Sequence, residues 1–171
     1  ETGINIEVIS GEEEAELTAR GVMFDMPETD SSFIVDIGGG SAEWIFCRNS
    51  SPVGMGTIPT GVVKLFDNHI KSDPPSKDDI LSLKKESDTV LSRVKTQIGH
   101  LINSSTVFIG TAGTITTLAS IDIGLESYGH EKIHRHNISL EKLYDISGRL
   151  ISIPLSERKK MIGLEPERAD L

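Results

Sequence analysis

The segment Phe33-Ile34-Val35-Asp36-Ile37-Gly38-Gly39-Gly40-Ser41 constrains this chain most: an apolar strand runs directly into three consecutive glycines and a serine. Glycine at a strand end costs conformational entropy and packs nothing, so a run of three marks a place where backbone must approach something closely. One use is a turn whose successive N–H groups converge on an anion with no Cβ in the way, the Ser41 hydroxyl adding a donor. On that reading Asp36 holds a hydrated Mg2+, which screens its repulsion from phosphate and polarises the phosphoryl group. The other use is a glycine-rich hairpin turn capped by Asp36. Taken alone, the loop admits both.

The surroundings say what kind of layer the loop belongs to. After it, Ala42 to Arg48 reads as a strand, Asn49-Ser50-Ser51-Pro52 as a turn and Val53 to Pro59 as another strand, giving three consecutive antiparallel strands. Before it, Ile4, Ile6 and Val8 alternate as a short strand that stops at Ser10-Gly11. A helix from Glu12 to Val22 follows, with Ser10 or Gly11 as N-cap, Ala15, Ala19 and Val22 on one face, and acidic residues in the first turn where the helix dipole favours them. The linker from Pro27 to Ser32 is polar.

Further on, helices are expected from Val62 to Ile70 and after a Ser76 cap, the second with a stripe of Ile80, Leu83, Val90, Val94, Ile98 and Leu101. A short buried strand, Thr106 to Ile109, then meets a glycine turn at Gly110 to Gly113 and a helix through Leu118. Ser139 to Leu150 forms another helix with Leu140, Leu143, Ile146 and Leu150 inward, ended by Pro154, and Pro166 opens a last helical turn. Hairpin strands first and strands alternating with helices later define an α/β fold, a mixed central sheet flanked by helices, in one domain over residues 1–171.

Charge and cysteine usage narrow the partners. A formal charge of -9 excludes nucleic acid or anionic membrane as a partner of the surface as a whole, so any phosphate grip is local. No run approaches the ~18 apolar residues of a membrane span. The opening Glu1-Thr2-Gly3 is no signal peptide, and without an initiator Met the chain reads as a piece of a longer protein. Cys47, the single cysteine, has no disulfide partner and suits a strand position, so a reducing cytoplasmic setting is expected.

A second strand-end loop, Gly110-Thr111-Ala112-Gly113-Thr114, would bring free N–H groups and a helix dipole beside the same anion, or would serve close helix and strand packing. Glu12, Glu13 and Glu14 cannot all point one way at ~100° per residue. One could face a cleft and deprotonate a water, while dipole compensation accounts for all three without any chemistry. His130, His134 and His136 lack an ordered ligand set for a metal, with His134 and His136 on one side of an extended stretch. Arg158-Lys159-Lys160 fits a solvated helix face better than a polyanion track, and Trp44 and Phe46 fit sheet packing.

Four ordered stretches together resemble the exopolyphosphatase and guanosine pentaphosphate phosphohydrolase (Ppx/GppA) family: Ile6 to Ala15, Val35 to Ser41, Gly110 to Thr114, and Gly163-Leu164-Glu165-Pro166-Glu167-Arg168-Ala169-Asp170. Gly61-Val62-Val63-Lys64-Leu65 with Ser72-Asp73-Pro74-Pro75 is similar to the family's link after the third strand. The resemblance implies an actin-like (ribonuclease H-like) fold in which two related lobes close on phosphate, this chain being the second lobe, with the first lobe and any C-terminal domain outside it. It also implies Glu14 as catalytic base, Asp36 near Mg2+, Gly38, Gly39, Gly40 and Ser41 on one phosphate loop, and Gly110, Thr111 and Gly113 on the other. The implied substrates are inorganic polyphosphate or guanosine pentaphosphate, the implied setting is a bacterial cytoplasm, and a homodimer of the longer protein is compatible with it. Ala42 stands where the family has Thr, and Asp67 where Glu is common. A sensor that binds without turnover and an actin-like kinase lobe are the other classes these motifs allow.

Overall fold

The computed structural model describes residues 3, 7–127 and 129–170. The elements run α1 (Gly11–Phe24), β1 (Ser31–Ile37), β2 (Ala42–Arg48), β3 (Ser51–Ile58), α2 (Val62–His69), α3 (Lys77–Ile98), β4 (Val107–Thr111), α4 (Ala112–Ile123), α5 (His130–Ile133), α6 (Leu140–Ser152) and α7 (Leu155–Arg158), with a 3-10 turn at Pro166–Arg168. The sheet is four-stranded in the order β3-β2-β1-β4. β1 and β2 are antiparallel, as are β2 and β3, while β4 adds parallel to β1.

Alternation along the strands sorts the core into two faces. On one, Ile34, Ile45 and Cys47 pack beneath Ala15 and Ala19 of α1, whose small side chains let the helix lie close to the sheet. On the other, Trp44 and Phe46 meet Val94 and Ile98 of α3, as expected of sheet-packing aromatics. Beyond the sheet, Ala119, Leu125 and Ile133 form one helical cluster, and Met161, Leu164 and Ala169 another against Ile121 and Leu150.

Both long helices begin with reciprocal caps. Ser10 accepts from the Glu13 N–H while the Glu13 carboxylate accepts from the Ser10 N–H, and Ser76 and Asp79 repeat the pattern at α3.

Several expectations need correction. Of the anticipated first strand, Ile4 and Ile6 lie outside the described residues, and Glu7 to Ser10 have no regular structure, with Val8 99% exposed. An alternating segment becomes a strand only where a neighbour supplies hydrogen bonds, and none of the described strands pairs with it. The apolar run at β4 is not buried: among the described residues it is an edge strand paired only with β1, with Phe108 66% exposed though edge-on to Phe33. Gly110 to Gly113 is not a separate turn, because strand passes into helix at Thr111 and Ala112. Leu140 is exposed at the first turn of α6, where only Ile146 is fully buried.

His134 and His136 do not share a side. Arg135 between them is left-handed (φ 59°), so His134 turns to Asp25 and His136 to Asp122, each at 2.7 Å. The basic run is not a uniformly solvated face either, since Arg158 is buried and bonds Asp73 at 3.0 Å, while Asp73 also accepts the Leu155 N–H that opens α7.

Candidate active site

Parallel pairing of β1 and β4 puts Asp36 opposite Thr111, so the two glycine-bearing junctions leave the sheet side by side at one end. β3 runs the same way as β1, and its last turn of chain carries Thr57 to that end. There α1 begins: a Cβ at Gly11 would sit 2.5 Å from Thr57 Oγ1, so glycine lets the helix start directly over the strand.

The glycine loop has a defined hydrogen-bonding sense. Gly38 N–H bonds Ser41 O at 3.0 Å, closing the loop. The Gly38 and Gly39 carbonyls accept the Val62 and Val63 N–H groups of α2, each at 3.0 Å. Among the described residues the N–H groups of Gly39, Gly40 and Ser41 make no hydrogen bond, which leaves three donors for a ligand.

The second junction is strained. Ala112, the first residue of α4, has φ 65°, a left-handed conformation costing roughly 1–2 kcal/mol for a residue with a Cβ. No side chain caps α4, so its first N–H groups are open. Thr114 Oγ1 donates to Ile37 O at 3.0 Å, tying this helix start to the end of β1. At Gly113 the Arg168 guanidinium lies against the helix start, 2.5 Å from where a Cβ would be, so the absence of a side chain lets it approach the backbone closely. Gly110 instead sits inside β4, where a Cβ would meet the Ile115 side chain at 2.6 Å, so its role is close packing; Thr111 belongs to the β1 and β4 ladder, and Ala112 to Thr114 carry the open N–H groups.

Three carboxylates face the same end. Asp36 and Glu43 are direct cross-strand partners on the α1 face, and Glu14 overhangs them from the first turn of α1. Burial, then the Glu14 charge, raises the Asp36 pKa above its ordinary value. Glu43, 4% exposed, is raised first by burial and further by Glu14 and Asp36, against a lowering contact with the Ser41 hydroxyl. Of the acidic triplet, Glu13 is committed to the cap, and its two bonds to Ser10 hold its pKa down. Glu14 is therefore the one whose charge reaches the site.

Two side chains here were not singled out from sequence as site residues. Glu43 could have been: it is the only acid on a strand face otherwise made of Ile45 and Cys47. Arg168 stands in the Gly163 to Asp170 stretch that carries the family resemblance, but its place at the site comes from tertiary packing. Gly163 (φ 88°) turns tightly against the Ser120 carbonyl, which sets the Pro166–Arg168 turn over α4. Among the described residues Arg168 makes no ion pair.

Open N–H donors, a guanidinium with no ion pair among the described residues and a like-charged acidic group lie together at the carboxyl ends of parallel strands, and the class they define is an α/β domain with its polar groups gathered on strand-end loops, where ligands of such sheets bind. The particular family follows from comparison. The family model described as Ppx/GppA phosphatase matches residues 1–171, and the chain belongs to that family. Exopolyphosphatase 2 of Mycobacterium tuberculosis is 29% identical over 171 residues, covering 99% of this chain and 52% of that protein. A bifunctional 3-dehydroquinate synthase/phosphatase of Fusobacterium nucleatum is 28% identical over 173 residues, covering 26% of its length.

Among solved structures, the Aquifex aeolicus PPX-GPPA enzyme superposes with a TM-score of 0.87 at 27% identity over 98% of this chain and 54% of that one. An exopolyphosphatase from Cytophaga hutchinsonii gives 0.83 at 32% identity, with the same coverages. The fold is thus the actin-like α/β domain of this family, and the chain spans about half the length of the Mycobacterium tuberculosis protein and of the two solved structures. No helix among the described residues is long and apolar enough to cross a membrane.

The acids suit a Mg2+ ion of limited protein coordination. No group of three or more His, Cys, Asp or Glu among the described residues is placed to enclose a metal. Mg2+ is usually held by one or two carboxylates, with waters and substrate phosphates completing its shell. Asp36 and Glu43, paired across strands with their charge uncompensated, match that pattern.

Proposed function

We propose that the protein to which this chain belongs releases terminal phosphate from inorganic polyphosphate or a guanosine pentaphosphate, by attack of water on the end phosphoanhydride. The observation that carries this reading is the convergence of Glu14, Asp36 and Glu43 on the open N–H groups of Gly39, Gly40 and Ser41 and of the α4 start.

In this reading the loop N–H groups bind the non-bridging oxygens of the terminal phosphoryl group, with Arg168 against the next phosphate. Glu14 accepts a proton as water forms the new O–P bond. The bridging O–P bond breaks, and its electron pair leaves with the shortened chain. Asp36 and Glu43 would hold Mg2+, which supplies charge neutralisation across the phosphates when bound. Half of the clamp belongs to residues outside this chain, so the chain by itself is expected to be inactive.

The test is phosphate release from polyphosphate and from guanosine pentaphosphate by the full-length protein and its Glu14→Gln variant. Removing a general base should lower turnover by about 10²–10⁴-fold with folding intact. Unchanged turnover would remove Glu14 from the chemistry. Phosphate binding with no turnover in the unmodified protein would replace catalysis by sensing.

A further inference from the structure

We infer that the start of α2 is the positioning device of the phosphate loop, with Gly61 as the residue that makes the contact possible; this rests on the phosphate-gripping reading of that loop. Gly61 has φ -104° and ψ -176°, an extended conformation open to any residue. Its requirement for glycine is spatial. A Cβ there would fall against the Gly38 carbonyl oxygen and within 2.5 Å of both the carbonyl carbon and oxygen of Gly39. All three are backbone atoms of the loop, which cannot rotate aside as a side chain tip could.

What the close approach achieves follows from the hydrogen bonds. Because Gly61 has no side chain, Val62 and Val63 N–H reach the Gly38 and Gly39 carbonyls at 3.0 Å. These are among the N–H groups a helix start leaves without intrahelical partners. N–H and C=O point oppositely across a trans peptide, so drawing the Gly38 and Gly39 carbonyls to α2 turns the Gly39 and Gly40 N–H groups away from the helix, with the open Ser41 N–H next in the chain. Val63 also backs the loop, since its Cγ2 lies 3.2 Å from where a Gly39 Cβ would be. The helix start therefore does not hold the ligand. It fixes the orientation of the backbone that would.

Two variants of the full-length protein, in which both halves of the clamp are present, test this from opposite directions. Gly61→Ala pushes the loop off α2. Val62→Pro deletes the bond to the Gly38 carbonyl while keeping the helix, because proline suits the first helical position. Gly21→Ala in α1, where a Cβ meets nothing within 4 Å, is the control. The readouts are thermal melting, the NMR signals of core Ile34 and Ile45, and the response of the Gly39, Gly40 and Ser41 amide signals to inorganic tripolyphosphate with Mg2+.

The expected result is that the unmodified protein and Gly21→Ala respond alike. The two α2 variants should keep the core signals and melt within a few degrees of the unmodified protein, yet bind tripolyphosphate at least tenfold more weakly and show altered loop amide positions without ligand. If the unmodified protein responds and both variants bind equally well, the inference alone is overturned. If the loop amides of the unmodified protein ignore tripolyphosphate, the phosphate reading fails and takes the inference with it.

Discussion

Replacing Glu43 by Gln should stabilise the fold. Glu43 is 4% exposed and directly opposite Asp36 across the β1 and β2 ladder. Cβ atoms of such partners lie about 4.5–5.5 Å apart. Two carboxylates at ~5 Å repel by roughly 1 kcal/mol at the dielectric of water and roughly 3 kcal/mol at an effective dielectric near 20. Gln keeps the length of the side chain and an oxygen for the Ser41 hydroxyl, so the change removes charge and little else. A gain of about 1–2 kcal/mol is expected near pH 8, or about 2–8 °C in Tm for a chain of this size.

The pH dependence separates charge from packing. Asp36 and Glu43 have folded pKa values raised above the ordinary 3.8 and 4.5. Between the unfolded and folded values the folded state holds more protons, so these groups lower stability as pH rises through that window. Below the unfolded values both are neutral in either state and the penalty is absent. The Glu43→Gln gain should be largest at pH 8 and shrink toward pH 4, read from urea unfolding at each pH. Destabilisation at pH 8, or a gain equal at both pH values, would refute the cost of a buried charge at Glu43, set by burial first and by its acidic neighbours second, as the origin of the effect.

Asp79 has the opposite sign. Its bond from the Ser72 hydroxyl at 2.6 Å and the Ser76 cap lower its pKa to about 2, so its contribution is complete above 3.8 and is lost as pH falls toward 2. Asp79→Asn should flatten that acid limb of the stability curve, measured by urea midpoints from pH 5 to 2. Gly56→Ala would place a Cβ 2.8–2.9 Å from the Trp44 indole, an overpacking that should cost about 1–3 kcal/mol. Trp44 is the only tryptophan, so its fluorescence reports both the unfolding transition and the displaced ring.

What could be read from the sequence was what is local. The strand series, the Ser10 and Ser76 caps, the buried strand position of Cys47 and the sheet packing of Trp44 and Phe46 depend on neighbours a few residues away. The site was legible as two glycine loops and an acidic turn, but not as a constellation. Arg168 reaches Gly113 only because the Gly163 turn packs on α4, and Gly61 meets Gly38 and Gly39 across two strands of intervening chain. The same limit produced the errors. Whether Val107 and Phe108 are covered depends on what lies beyond the edge of β4, and whether Arg158 is solvated depends on Asp73, 85 residues away.

The electrostatics of the sheet end explain how a chain of charge -9 could hold a polyanion. The loops offer dipolar N–H groups, and Arg168 is the cation placed on them, while Glu14, Asp36 and Glu43 oppose any anion that approaches. On the proposed reading neither set suffices alone. Donors without the acids would bind phosphate but could not take a proton from water. Acids without a cation between them and the phosphate would repel it. The repulsion already present among the carboxylates raises the affinity of that end for a cation, and a bound cation would in turn lower the raised pKa values of Asp36 and Glu43. Metal and phosphate should therefore bind together, each weak without the other, at a site whose orientation is fixed from behind by α2.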